Sequence, residues 1–246
     1  MSDLPSVTIV IPMHNEAGAV RSLITGIHHV AQDLPGFEIV AVDDGSTDDT
    51  LSELIATRET VPQLRILQHA RAAGQSAAVH SGVTAARAPI CCTLDGDGQN
   101  PPEDLPKLWT PLQAADSPGI GLVAGQRLAR RDSMSKRIAS RFANRLRAFV
   151  LRDETRDTGC GLKGFRRDAF LALPYFDHMH RYLPALFKAQ GWDVVLVDVA
   201  HRPRETGRSK YTNWQRGVAG AWDLLGVMWL LARTKKAKAQ EVPPRD

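Results

Sequence analysis

Phe37–Glu38–Ile39–Val40–Ala41–Val42–Asp43–Asp44–Gly45–Ser46–Thr47–Asp48–Asp49–Thr50 is the stretch that decides the fold. Phe37–Val42 is a short apolar, β-branched run of the kind that forms a buried strand. Acids, a glycine and hydroxyls follow at once. Ser46, Thr47 and Asp48 are N-capping types, so a helix is expected around Asp49–Thr57. A strand running through a polar turn into a helix is the first half of a βαβ unit. The pattern recurs on both sides. Val7–Ile11 reads as a strand stopped by Pro12, and Glu16–Gln32 puts Val20, Leu23, Ile24 and Ile27 on one helical face. Leu64–Gln68 and Ile90–Leu94 read as strands, with a helix at Gln75–Ala86 between them. Glu103–Ala115 reads as a helix and Gly121–Gly125 as a strand. The expected class is α/β, a mostly parallel sheet flanked by helices. Ligands of such sheets bind beyond the carboxyl ends of the strands, where three polar clusters stand: Pro12–Glu16, Asp43–Asp48 and Asp95–Gln99.

The second half is less regular. Asp132–Leu151 is an expected basic helix, with Met134, Ile138, Phe142, Leu146 and Phe149 at helical spacing. Asp157–Arg167 is expected as a Gly-rich loop. Helices at Asp168–Leu173 and His180–Gln190, a strand at Trp192–Val199 and a polar loop at His201–Tyr211 follow. A last helix, Asn213–Ala232, runs into the basic tail Arg233–Lys238. Trp214, Trp222 and Trp229 share one of its faces, which suits a membrane interface. With no internal repeat or long linker, the organisation is one domain, 1–212, whose segment 127–151 faces acceptor or membrane, and a C-terminal amphipathic helix with tail, 213–246.

The 246 residues are 43% hydrophobic and 24% charged, which excludes wholesale disorder. The net charge of +4 hides an asymmetry. Eight of the 31 basic residues lie between Arg127 and Arg147 against one acid, Asp132. The rest of the chain is mildly acidic. Charge concentrated in this way points to an anionic partner; no nucleic-acid-binding motif accompanies it, and none is expected as partner. Cys91, Cys92 and Cys160 lack metal-site spacing and read as reduced core thiols in a reducing compartment. No basic leader precedes the first apolar run and no long uncharged span exists, so neither a signal peptide nor a membrane span is expected. The absence of G-x-G-x-x-G and G-x-x-x-x-G-K-[ST] disfavours dinucleotide and P-loop folds.

Leu94–Asp95–Gly96–Asp97–Gly98–Gln99 leaves a buried strand. Two carboxylates one residue apart can reach one ion, because Gly96 permits a tight turn. Gln99 adds a neutral oxygen. An all-oxygen set suits Mg²⁺ or Mn²⁺, in a cage left for substrate phosphates to complete. Asp43 and Asp44 could accept hydrogen bonds from a base or ribose. Glu16 could instead be a first-turn acid interacting with its helix dipole.

In this order, P-x-x-N-E, V-D-D-G-S-T-D and D-x-D-x-Q-x-P-P-E resemble the family 2 glycosyltransferases with the GT-A (Rossmann-like) fold. The resemblance is nearest to dolichol-phosphate mannosyltransferases and bacterial polyprenyl-phosphate glycosyltransferases. It extends through Asp157–Arg167 and Arg204–Tyr211, covering roughly residues 5–212. It implies that Pro12, His14, Glu16, Asp44, Asp95, Gly96 and Arg204 bind the nucleotide sugar, His14 standing where relatives often carry Tyr. Asp95, Asp97 and Gln99 would hold the metal. Asp97, Arg127 and Lys210 would carry the catalysis, and Arg127 with Arg137 or Arg141 would meet the acceptor phosphate.

The activity so implied is inverting, metal-dependent transfer of a hexose from a nucleotide diphosphate sugar to a polyprenyl phosphate. GDP-mannose leads among donors and a UDP-hexose follows. The chain would work as a peripheral protein on the cytoplasmic face of a membrane, and a small membrane-protein partner could receive its last helix. Two other readings compete: a family 2 transferase with a saccharide or protein hydroxyl acceptor and Asp157 as base, and a non-catalytic nucleotide-sugar or lipid-binding protein.

Overall fold

The computed structural model describes residues 4–127, 151, 155, 157–202 and 213–234, with backbone alone for 213–219 and 221. The expected basic helix at Asp132–Leu151, apart from Leu151, and the positions Arg137, Arg141, Arg204 and Lys210 lie outside the described residues.

Among the described residues seven strands form one sheet: β1 (Val7–Met13), β2 (Phe37–Asp43), β3 (Leu64–Gln68), β4 (Ile90–Thr93), β5 (Ile120–Arg127), β6 (Lys163–Arg166) and β7 (Asp193–Val199). Their spatial order is β3-β2-β1-β4-β6-β5-β7. β1 pairs in parallel with β2 and β4, β2 with β3, and β5 with β7. β6 runs antiparallel to both neighbours. Helices with both ends among the described residues are α1 (Val20–Ala31), α2 (Thr50–Arg58), α3 (Gln75–Ala85), α4 (Pro106–Gln113), α5 (Arg167–Leu171), α6 (Leu183–Gln190) and α7 (Asn213–Arg233).

Pleating sorts alternate residues of each strand to opposite faces. Ile9 and Ile11 of β1 meet Leu23, Ile24 and Ile27 of α1 on one face, while Val10 meets Val79 and Val83 of α3 on the other. Cys92 belongs to the first face and Cys91 to the second. Adjacent in sequence, the two thiols are therefore separated by the sheet. All three cysteines are free and buried, and burial pushes the Cys91 thiol up to about 12.

The Gly-rich segment Asp157–Arg167, expected as loop, contains a central strand. Lys163, Gly164 and Phe165 pair with β4 and β5. Phe165 stacks on Phe170 with centroids 4.7 Å apart, and the Phe165 side chain is wholly buried. Three expected helices begin later than their pattern suggests, the one expected at His180–Gln190 starting at Leu183 after the 3₁₀ turn Met179–Arg181. Ala17–Ala19 and Pro102–Asp104 are 3₁₀ turns preceding α1 and α4. The cap of α2 also shifts. Asp49 occupies the N-cap without a side-chain bond, and Asp48 Oδ1 accepts the Thr50 N–H at 3.0 Å.

Candidate functional site

β2, β1 and β4 are adjacent and parallel, so the turns leaving them share one edge of the sheet. There Pro12, Met13, His14, Glu16, Asp44, Gln75, Ala78, Asp95, Gly96 and Asp97 line a cleft of ≈ 270 Å³. The structure thus gathers seven of the sequence-selected residues: Pro12, His14, Glu16, Asp44, Asp95, Gly96 and Asp97.

The turns after β1 and β2 are fastened together by their own polar atoms. The Asp44 N–H donates to the Met13 carbonyl at 2.8 Å, and His14 Nδ1 donates to the Asp44 carbonyl at 2.8 Å. Asn15, at φ 58, accepts the Thr47 N–H at 2.7 Å and donates its own N–H to Ser46 Oγ at 3.0 Å. The Glu16 N–H reaches Thr50 Oγ1 at 2.9 Å. The expected base-binding role of Asp44 meets a local constraint here, since its carboxylate fastens the strap 69–74. Oδ1 accepts His69 Nδ1–H at 2.7 Å and the Ala73 N–H at 2.8 Å, and Oδ2 accepts the Gly74 N–H at 2.8 Å. With Nδ1 donating, a neutral His69 accepts the Ser81 hydroxyl at Nε2, 2.9 Å away. The strap lies so close that a side chain at Gly45, whose φ is +64, would come within 2.6 Å of the Ala72 nitrogen.

The turn after β4 is seated as tightly. A Cβ at Gly96 would stand 2.8 Å from the Pro12 carbonyl oxygen. Asp95 Oδ1 accepts Gln75 Nε2–H at 2.7 Å, and Oδ2 accepts Asn100 Nδ2–H at 3.4 Å. Asp97 Oδ1 accepts the Gln99 N–H at 3.1 Å. Gln99 exchanges backbone and side-chain bonds with Arg202: its carbonyl accepts the Arg202 N–H at 2.8 Å, and its Nε2 donates to the Arg202 carbonyl at 3.4 Å. Burial, then the like charge of Asp97, raises Asp95 above the usual carboxylate range, against the opposing pull of Lys163, Asn100 and Arg127. Two crowded acids on an all-oxygen turn are a donor set that fits a hard divalent cation. Among the described residues no three His, Cys, Asp or Glu side chains converge. A cation here would take two carboxylates and complete its shell elsewhere.

Beside this turn lies a second layer of charge. Arg127, at the end of β5, grips Asp157 in a bidentate pair, Nε–Oδ2 at 2.5 Å and NH2–Oδ1 at 2.8 Å. The Asp157 N–H donates to Gln126 Oε1 at 3.0 Å. The bond from Asp157 raises Arg127 above its ordinary value despite burial. Lys163 is 4% exposed. Its ammonium donates to the Cys160 carbonyl, and desolvation lowers its pKa. Thr93, Asp95, Gly161, Lys163 and His180 border one small void. His180 Nδ1 lies 2.7 Å from Ser76 Oγ, and burial holds His180 well below the ordinary histidine range. Gln75, Lys163 and His180 escaped the sequence reading. Gln75 had a signal, a polar residue opening a helix after Gly74. Lys163 had none, being one basic residue in a glycine-rich stretch.

A family model described as glycosyl transferase family 2 matches residues 8–173. Dodecaprenyl-phosphate galacturonate synthase of Rhizobium johnstonii is 33% identical over 91% of this chain and 67% of its own length. An undecaprenyl-phosphate 4-deoxy-4-formamido-L-arabinose transferase of Pectobacterium carotovorum is 31% identical over 86% of this chain and 64% of its own. The chain thus spans about two thirds of these curated relatives. Glucosyl-3-phosphoglycerate synthase of Mycobacterium tuberculosis, solved with Mn²⁺, UDP and glucosyl-3-phosphoglycerate, superposes with a TM-score of 0.70 at 19% identity, over 95% of this chain and 82% of its own. Mannosyltransferase PcManGT of Pyrobaculum calidifontis, solved with GDP-Man and Mn²⁺, gives 0.65 at 22% identity, over 96% and 66%. These likenesses show the GT-A fold.

Proposed function

This chain belongs to glycosyl transferase family 2, and on that premise we propose that it moves a sugar, with inversion, from a nucleotide diphosphate donor to a polyprenyl phosphate at a membrane. One observation carries the reading: the turns after β1, β2 and β4 meet in a single cleft. The relatives named for transfer to dodecaprenyl and undecaprenyl phosphate supply the acceptor class. They name galacturonate and a 4-deoxy-4-formamido-pentose, not mannose, so UDP-linked acidic and amino sugars join GDP-mannose as candidate donors.

Breaking the glycosidic C–O bond puts negative charge on the departing nucleotide diphosphate. Mg²⁺ or Mn²⁺, when held by Asp95 and Asp97 with Gln99 alongside, supplies Lewis-acid charge to it. Pro12, His14, Glu16 and the edge of Asp44 are assigned to the nucleoside, Gly96 to close backbone approach. Arg204 and Lys210 are assigned to the diphosphate. Asp157 occupies two of the five N–H donors of Arg127; the rest are assigned to the acceptor phosphate, joined by Arg137 or Arg141. A lipid phosphate is already anionic, so its attack needs orientation and no strong base. A hydroxyl acceptor would need one. Asp157 suits that task poorly, because both its carboxylate oxygens are already engaged by Arg127.

The test incubates the purified protein with undecaprenyl phosphate, Mg²⁺ or Mn²⁺, and a panel of UDP- and GDP-sugars. Glycolipid detected by mass spectrometry with one donor is expected. Folded protein that yields no product with any donor overturns the reading.

A further inference from the structure

We propose that the outer face of α7 docks on an anionic lipid bilayer, with Trp222 and Trp229 seated at headgroup depth. α7 is apolar on two sides. Val227 is buried, and Leu224, Leu230 and Leu231 pack with it into the core around Phe165 and Phe187. Tyr182 Oη donates to the Gly220 carbonyl at 3.4 Å, and His178 Nδ1 meets Asp223 Oδ2 at 2.7 Å. These contacts fix which side of the helix faces inward. On the other side Trp222 is 72%, Leu225 56% and Trp229 64% exposed. At 100° per residue these three fall within about 60° of arc. Scattered exposed apolar residues are ordinary, whereas a contiguous stripe of two indoles and a leucine marks an interaction surface.

Charge selects the occupant. From Thr206 to Gln240 the sequence holds one acid, Asp223, against Arg208, Lys210, Arg216, Arg233, Lys235, Lys236 and Lys238. Asp223 is turned to His178, so it does not oppose an anionic surface. A second copy would bring the same net-basic segment and be repelled. Indoles favour the headgroup layer, and nearby basic residues add roughly 1 kcal/mol each to attraction by anionic lipid. Among the described residues no helix is long and apolar enough to cross a membrane, so α7 lies on a bilayer and does not span it. The position is apt. α7 packs against the turn Met179–Arg181, whose His180 bonds Ser76, and the adjacent Gln75 bonds Asp95. The stripe therefore sits on the module that borders the acidic cleft. The inference rests on the proposed lipid acceptor for its choice of partner.

The test is co-sedimentation of the full chain with phosphatidylcholine vesicles, with and without phosphatidylglycerol. Wild-type protein is expected to bind the anionic vesicles, with a blue-shifted tryptophan emission. The double variant Trp222→Ala/Trp229→Ala is expected to lose at least about tenfold in partition. Its transfer to a detergent-soluble short-chain prenyl phosphate should match wild type. Replacing Lys235, Lys236 and Lys238 by Gln should weaken binding to anionic vesicles and leave neutral ones unaffected. The proposal is overturned if wild type ignores anionic vesicles or if the double variant binds them equally. It is also overturned if the double variant instead dissolves a dimer, or loses thermal stability with vesicle binding intact. Vesicle binding with an empty donor panel would sink the proposed reaction and leave this inference standing.

Discussion

Asp95 and Asp97 are the residues whose arrangement costs the fold something. Burial, and after it the like charge of Asp97, raises Asp95. Asp97→Asn removes the repulsion, so in chelator its melting temperature should equal or exceed that of wild type. Wild type should gain stability on adding Mg²⁺ or Mn²⁺, and the variant should gain almost none. Differential scanning fluorimetry reads both. Transfer should fall by about 10²–10³, as for the loss of one group that stabilises developing charge. Equal metal-induced shifts in the two proteins would sink the metal assignment. Arg127 and Asp157 make a second prediction. Their side chains are 13% and 10% exposed, and deleting one partner strands the other. Asp157→Ala should cost about 3 kcal/mol in urea denaturation, and Arg127→Met/Asp157→Leu should recover much of that. The sequence offered both residues as candidates, 30 apart, without a hint that they bind each other. Such pairing depends on the chain's return through β6, which local pattern does not encode. The acidic turns were legible because each ends an apolar run within a few residues. The strap that occupies the carboxylate of Asp44 was not, because its donors are two backbone amides and a histidine 25 positions away.

Among the elements, the strands of the first half were readable as β-branched runs between polar turns, and Leu64–Gln68 matches to the residue. β6 was hidden. Lys163–Gly164–Phe165–Arg166 has two charges and a glycine in four residues, a composition that reads as loop by every local rule. It is a strand because two open edges, those of β4 and β5, need one. Pro102 and Pro106 likewise divide an expected single helix into a 3₁₀ turn and α4. The turn after β4 carries a prediction at this scale. Gly96→Ala inserts a methyl group against the Pro12 carbonyl and the Met13 side chain. The turn must lift from β1, taking both acids with it. Transfer should drop at least tenfold while stability falls by only about 1–3 kcal/mol; kinetics beside urea denaturation separates the two. A variant of wild-type rate would show that the close approach is dispensable.

At the scale of the molecule, the sheet is held at its other edge by Glu38. Its carboxylate accepts from Thr8 Oγ1 at 2.7 Å, Arg65 NH1 at 2.6 Å and the Arg87 N–H at 2.6 Å, so one acid ties β1, β2, β3 and the approach to β4. Burial alone would raise its pKa, but these bonds outweigh it and hold Glu38 below its ordinary value. The ionised form is therefore favoured by folding. This stability is present above the unfolded carboxylate pKa and is lost as pH falls through the depressed folded value. Glu38→Gln should cost about 2 kcal/mol at neutral pH, and the gap should close in acid. Denaturation at both pH values checks it, and a gap that widens in acid would refute the assignment.

The order of strands also bears on how the chain is made. β6 is the middle of the trio β4-β6-β5, yet it is synthesised after both neighbours. While a ribosome is still extending the chain towards Lys163, the nascent protein carries a bare β4 edge, lined by Ile90, Cys91 and Cys92, and a β5 with neither of its neighbours. Unpaired apolar edges recruit other chains. Release of a fragment ending before Lys163 should therefore give inclusion bodies, and this interval of synthesis is when the protein depends most on a chaperone.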